Sequence, residues 1–224
     1  MKRASSMIIT LVLLLGGVGQ AKAGLIFTNL GPGNSYNTTS SWSVGGSSFG
    51  VLVAVEFMPT TTSRFQDAVM PLGNEGTSGP AHVLVSLMAN QGGSPGAILE
   101  QLTVSVSAPA SAGGALTTAA SVQHPTLTAG TPYWLVLSEP TQGETVGWFW
   151  NSTGDVGVGG NFQTNPFGSL SGPWFHQDQA TRPAFQIDGP RAVPDPSDLT
   201  LLATATLSLA GYFGWRRARR RVAA

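Results

Sequence analysis

Val51-Leu52-Val53-Ala54-Val55-Glu56-Phe57 is the stretch that sets the fold class. Six of these seven side chains are apolar, and Pro59 with Thr60, Thr61 and Thr62 ends the run. A short apolar run with valine at every second position, closed by a breaker, reads as a buried strand. Tyr133-Trp134-Leu135-Val136-Leu137-Ser138 has the same character. In 83–89, Val83, Val85 and Leu87 share one face while Leu84, Ser86 and Met88 share the other. Residues 97–106 alternate through Leu102, Val104 and Val106. Further strands are expected over 145–151, 162–164 and 183–187, and over 64–72 with an interruption at Pro71. A turn is expected over 90–96, and a small-residue loop over 109–120 with Gly113-Gly114 at its tip. Helical periodicity is nearly absent from the middle of the chain. Roughly eight to ten short strands separated by turn signals predict an all-β, antiparallel β-sandwich. A jelly-roll-like arrangement is the first choice and an immunoglobulin-like one the second.

Residues 24–190 are expected to form this one domain, long enough to bury a core without staples. The chain has no cysteine. That excludes disulfides, a lipid-modified cysteine, thiolate metal ligands and a cysteine nucleophile. The formal net charge of the whole chain is zero, but its distribution is uneven. Within 24–190 the bases are Arg64 and Arg182, against Glu56, Asp67, Glu75, Glu100, Glu139, Glu144, Asp155, Asp178 and Asp188, a net −7. Such a domain has no electrostatic footprint for nucleic acid.

Chemistry is sparse in this middle region. Gly92-Gly93-Ser94-Pro95-Gly96 fits the G-x-S-x-G pattern, but a nucleophile elbow joins a strand to a helix, and here one strand leads to another. Pro95 also removes the N–H that such a hydrolase places in its oxyanion hole. His82, His124 and His176 lack ligand spacing, and no D-x-D-x-D-G loop occurs. Asp155 among glycines could lend one oxygen to a structural calcium, and Asp67 with Glu75 could be drawn as a carboxylate pair, but nothing fixes their separation. No catalytic residue, metal or cofactor is therefore assigned. The aromatic residues give the best functional hint. Trp148 and Trp150 are two apart and are expected on one strand face, with Phe149 on the other. With Trp174 they are the candidate glycan-stacking residues, and Asn151, Gln163 and Asn165 could bond hydroxyls. Core packing is the alternative use of any tryptophan. Trp42, in a Ser-rich stretch, is expected to be partly exposed.

Both ends of the chain carry targeting signals. Residues 1–23 read as a secretory signal peptide: Lys2 and Arg3, an apolar stretch over 7–19, and Ala21-Lys22-Ala23 as the signal peptidase site, which leaves Gly24 as the first mature residue. Residues 191–198 are a proline-rich linker containing Val193-Pro194-Asp195-Pro196, which two prolines hold extended. Residues 199–215 are an apolar stretch of about 26 Å as a helix, close to the ~30 Å bilayer core. Leu199, Leu201, Leu202, Leu207, Leu209 and Phe213 contribute roughly −2 to −4 kcal/mol of insertion free energy. Thr200, Thr204, Thr206, Ser208, Gly211 and Gly214 oppose it, so the span is marginal and suits a temporary anchor. Tyr212 and Trp215 fall where an aromatic belt would lie. Arg216, Arg217, Arg219, Arg220 and Arg221, in the basic tail 216–224, are expected to stay cytoplasmic and to leave the domain outside.

This tail resembles the PEP-CTERM sorting signal of Gram-negative bacteria, whose short motif is usually Val-Pro-Glu-Pro. Asp195 stands where the family usually has glutamate, which keeps the charge and loses one methylene. The resemblance covers 193–221 and implies recognition and removal of the tail by an integral membrane exosortase, in cells that make exopolysaccharide. A second resemblance runs through the domain over roughly 25–188. Asn29-Leu30-Gly31-Pro32-Gly33, Ser94-Pro95-Gly96-Ala97-Ile98-Leu99, Leu127-Thr128-Ala129-Gly130-Thr131-Pro132-Tyr133-Trp134-Leu135-Val136 and then Trp148 resemble the choice-of-anchor R module. That resemblance implies an exported β-sandwich and supplies no catalytic residues.

The expected function is a non-catalytic surface or exopolysaccharide-matrix protein. It would be held transiently in the inner membrane, processed, and released to the cell envelope or matrix, with weak glycan binding as its chemistry. The alternatives are an exported carbohydrate-active enzyme and a permanently anchored single-pass adhesin.

Overall fold

The structure is a computed structural model that describes residues 23–46, 50–76, 79–164, 170 and 174–191; for 23, 160–164, 176, 178 and 191 it describes the backbone. The expected signal peptide up to residue 22, the motif 193–196, the apolar stretch 199–215 and the basic tail lie outside the described residues. Among the described residues no helix is long and apolar enough to cross a membrane. Residues 23–190 form one compact unit.

That unit is all-β. Its strands are β1 (Ala23–Thr28), β2 (Tyr36–Gly45), β3 (Gly50–Phe57), β4 (Ser63–Arg64), β5 (Asp67–Asn74), β6 (Ala81–Gln91) and β7 (Ser94–Val106). After them come β8 (Ala115–Ala120), β9 (Thr126–Leu127), β10 (Tyr133–Ser138), β11 (Thr145–Asn151), β12 (Val156–Thr164), β13 (Phe175–Thr181) and β14 (Gln186–Arg191). Single 3-10 turns sit at Pro32–Asn34 and Ala110–Ala112. One curled sheet runs β1-β14-β5-β11-β2-β3-β10-β6-β7, with β8 added on β5, β12 on β3 and β13 on β12; β4 and β9 form a separate small pair. The curl makes the sheet a half-barrel. The ladders joining β2 to β14 are antiparallel.

The two strands most apolar in sequence lie side by side at the centre. β10 pairs with β3 through Leu135↔Val55 and Leu137↔Val53, and with β6 through Leu135↔Leu87 and Leu137↔Val85. These six side chains are buried inside the curl, together with Phe57, Met70, Leu72, Trp148, Phe185 and Ile187. Phe185 is the hub of an aromatic group, stacked on Phe27 at 4.9 Å and edge-on to Phe57 at 5.8 Å and Trp148 at 6.0 Å. Every second residue of the central strands points the other way. Leu52, Ala54, Met88, Trp134 and Val136 make a second buried cluster, and Val158, Leu170 and Trp174 pack over it. All six residues of β10 are buried, because both of its faces are covered. Each large apolar side chain so buried contributes roughly 1.5–3 kcal/mol. This explains why β10 and β3 read as continuous apolar runs rather than as alternating ones.

Several segments differ from the sequence expectation. The loop expected over 109–120 holds a strand, β8, which pairs with β5 from Leu72↔Ala115 to Asp67↔Ala120. Its alanines and threonines carry little apolar signal, only Ala119 is buried, and the strand is defined by its pairing with β5. The expected strand 64–72 breaks after Arg64 and resumes at Asp67, then runs through Pro71 to Asn74. Pro71 lies opposite Leu116, where the β14 pairing has ended at Val69 and the β11 pairing has not begun before Leu72. The 90–96 turn tightens to Gly92 and Gly93, both with positive φ (62° and 84°), which suits the two-residue hairpin turn that only glycine adopts readily. That geometry joins strand to strand, so the G-x-S-x-G match is a hairpin. β1, β2 and β13 were not anticipated. β2 is Ser- and Thr-rich, β1 carries the short run Leu25-Ile26-Phe27, and β13 is polar.

The curl brings β7 back towards β8. This approach is held by a side chain rather than by a ladder. Glu100 of β7, 2% exposed, accepts hydrogen bonds from Ser121 Oγ at 2.6 Å, Val122 N at 2.6 Å and Gln123 N at 2.9 Å, all just beyond β8. Ser121 Oγ in turn accepts from His124 N at 2.9 Å. Burial pushes the Glu100 carboxyl up, but these donors and the nearby His124 outweigh it and hold it below the usual carboxylate range.

Candidate functional site

Three arrangements could carry chemistry: the tryptophans, a carboxylate cluster at one end of β10, and a cleft at the other end.

The tryptophans do not form an exposed platform. Trp148 is fully buried, and its Nε1 donates to Ala184 O at 2.8 Å. Its candidacy as a glycan-stacking residue is corrected on that ground, since a ring enclosed by Phe185 and the inner core offers no face to a ligand. Phe149 is buried as well, and the β11–β2 register shifts between Phe149 and Asn151. The simple alternation that placed Trp148 and Trp150 on one accessible face therefore breaks at Trp150. Trp150 is half-buried, and its Nε1 has no hydrogen-bond partner among the described residues. Trp174 is half-buried against the second cluster beside Trp134. Trp42 is half-buried, as its Ser-rich setting suggested. Asn151 is 4% exposed, and its side chain ties the β11–β12 turn by donating to Asp155 O and Arg182 O and accepting from Thr153 N and Asp155 N. It is not a surface group for sugar hydroxyls.

The carboxylates sort by partner. Asp155 accepts from Arg182 Nη2 at 2.6 Å and from Asn29 Nδ2 at 3.1 Å, so both of its oxygens are bonded within the protein. The calcium reading of Asp155 is replaced by this ion pair. Arg182 also donates to Glu56 O at 2.8 Å and lies over the Phe27 ring at 5.9 Å. Asp67 begins β5 and Glu75 follows its end, so an eight-residue strand separates them by roughly 25 Å and the pair drawn from sequence does not form. Glu75 instead accepts from Ser43 Oγ at 2.9 Å.

A different pair does form, at the β10–β11 connection. Glu139 is 3% exposed; its Oε2 accepts from Gly46 N at 3.1 Å, and its Oε1 has no partner among the described residues. Burial, only partly offset by the Gly46 bond and reinforced by nearby Glu144, pushes its carboxyl up to about 7. Glu144 accepts from His82 N at 3.1 Å and pairs with His82 Nδ1 at 3.0 Å. Burial pushes Glu144 up, but the His82 bonds and charge and a bond from Thr141 hold it below its ordinary value. Two carboxyls driven in opposite directions are an acid–base signature. In the sequence Glu139 and Glu144 count only toward the acidic charge, and His82 has no ligand spacing to either of the other histidines. No group of three or more potential metal ligands occurs among the described residues.

The cleft lies at the far end of β10, where the β6–β7 hairpin meets the segment before β10. Ala89, Asn90, Leu99, Pro125, Thr126, Thr131, Pro132 and Tyr133 line a volume of about 340 Å³. Its walls are tied down. Thr128 N donates to Tyr133 Oη at 3.1 Å, Gly130 N to Pro59 O at 3.0 Å, Ala129 N to Thr62 Oγ1 at 2.9 Å, and Trp134 Nε1 to Asn90 Oδ1 at 2.9 Å. No family model and no curated protein matches the chain.

Proposed function

We propose that this chain is an exported, non-catalytic surface or exopolysaccharide-matrix protein of a Gram-negative bacterium, sorted by a PEP-CTERM-type tail. The observation that carries this reading is the presence in one sequence of two targeting signals with agreeing orientation. They are Lys2-Arg3 with Ala21-Lys22-Ala23 at the start, and Val193-Pro194-Asp195-Pro196, the apolar 199–215 and the arginines 216–221 at the end. Signal peptidase and an exosortase are the processing partners, and the membrane is a transient one. The domain over 24–190 is read as a jelly-roll-like β-sandwich of the choice-of-anchor R type, and weak glycan contact is its chemistry. Its net −7 charge supports a partner other than nucleic acid.

The test is the intact mass of the mature protein recovered from a host with the exosortase and from one without it. A mass ending near residue 196 in the first host only is the expected result. A mass ending at Ala224 in both hosts overturns the sorting reading and favours a permanently anchored adhesin. An exported carbohydrate-active enzyme is the second reading, and the Glu139–Glu144 pair is what favours it. The 3% exposure of Glu139 weighs against it, because a general acid must reach its substrate. Hydrolysis of polysaccharide that is lost in both Glu139→Gln and Glu144→Gln would establish the enzyme reading.

A further inference from the structure

We propose that the cleft between the β6–β7 hairpin and the 125–133 segment is a binding site for a neutral saccharide, an inference that rests on the glycan-contact reading above. Its volume of about 340 Å³ falls within the ~300–1,000 Å³ of small-ligand sites. Among the described residues no charged side chain lines it. The surrounding domain is acidic, so anionic ligands are disfavoured by the protein's field as well as by the lining.

The lining has two kinds of surface. Leu99, Pro125, Pro132 and the Tyr133 ring are apolar, while Thr126 and Thr131 are exposed hydroxyl groups with no side-chain hydrogen bond among the described residues. Asn90 contributes a third polar group. Its Oδ1 is occupied by Trp134 Nε1, which orients the amide, and its Nδ2 has no hydrogen-bond acceptor among the described residues. A ligand that matches this lining presents C–H groups on one side and hydroxyls that both donate and accept at its edge. A pyranose ring has that composition, whereas a carboxylate or a phosphate would meet no cation. The bonds that fix the 125–133 segment before any ligand arrives reduce the ordering required on binding. The apolar side of the cleft is made by Leu99, the two prolines and the small part of Tyr133, 8% exposed, that reaches it.

The experiment titrates the full mature protein with neutral glucose-, galactose- and mannose-based oligosaccharides and with a uronate oligomer, by calorimetry. Thr131→Trp fills the cleft from an exposed position. Asn90→Asp keeps the acceptor for Trp134 while removing the Nδ2 donor and adding a negative charge. The expected result is saturable binding of at least one neutral oligosaccharide, weakened tenfold or more in both variants, with thermal midpoints close to wild type. Wild-type binding that both variants retain would place the glycan elsewhere and overturn this inference while leaving the glycan reading intact. Binding of the uronate alone overturns the neutral assignment. Absence of binding to every saccharide overturns the inference and the glycan part of the proposed function together, leaving the sorting reading untouched.

Discussion

Replacing Glu100 tests whether a single carboxylate holds the seam between β7 and β8. Glu100 is 2% exposed and accepts from three donors in the 121–123 turn. Each hydrogen bond to a charged acceptor contributes about 1.5–3 kcal/mol, and each buried donor left unpaired costs about 1–3 kcal/mol. Glu100→Gln keeps the shape. One amide oxygen can still accept from Val122 N and Gln123 N, but the NH2 then faces Ser121 Oγ, which already accepts from His124 N. The change removes one charge-assisted bond and weakens two, so the expected destabilisation is about 2–3 kcal/mol. Glu100→Ala strands all three donors and opens a cavity, and should cost about 3–5 kcal/mol. For a domain of this size the glutamine variant should melt roughly 4–12 °C lower. The difference must also depend on pH. Because the folded-state carboxyl titrates below its ordinary value, its contribution is present above the unfolded value of 4.5 and is lost as pH falls through the folded one. Denaturant melts of wild type and Glu100→Gln between pH 3 and pH 7 should therefore converge at the acid end. A constant gap across that range, or a glutamine variant as stable as wild type at pH 7, would refute the seam argument.

Glu139 titrates in the opposite sense. Its folded-state value near 7 lies above the unfolded 4.5, so stability present below 4.5 is lost as pH rises through about 7. Melting curves should show wild type weakening between pH 5 and 8, with Glu139→Gln flattening that slope. Gly45 has φ of +97°, and a Cβ there would meet Glu144 O and lie 2.6 Å from Glu139 Oε2. Gly45→Ala should therefore destabilise by about 2 kcal/mol or more, and urea midpoints would reveal it. Asp155→Ala leaves Arg182 Nη2 without its carboxylate acceptor at a half-buried site, whereas Asn29 Nδ2 keeps its bond to Pro183 O. A loss of about 2 kcal/mol is expected in the same assay, with Asp155→Asn recovering part of it.

The legible part of the fold was the part that local pattern alone can encode. The 133–138 and 145–151 strands appear over the residues read from sequence, and 51–57 lies within β3, because runs of valine, leucine and aromatics at strand length permit few other structures. β8 was missed for the complementary reason. Ala115-Leu116-Thr117-Thr118-Ala119-Ala120 has no strong preference, and its partner residues on β5 lie 43 to 53 positions earlier in the chain.

By itself the sequence determined the class of the domain, its acidic charge, its lack of thiol chemistry and the expectation of targeting signals at both ends. All of these follow from composition or from short contiguous patterns. Only the tertiary structure decided which chemistry-bearing side chains meet. It placed Trp148 in the core, paired Asp155 with Arg182, set Glu139 beside Glu144, and opened the uncharged cleft by Asn90 and Tyr133. Those juxtapositions join residues from about 5 to about 40 positions apart through the register of the curled sheet. Register and curl are set by packing summed over the whole domain, and no local stretch contains that information.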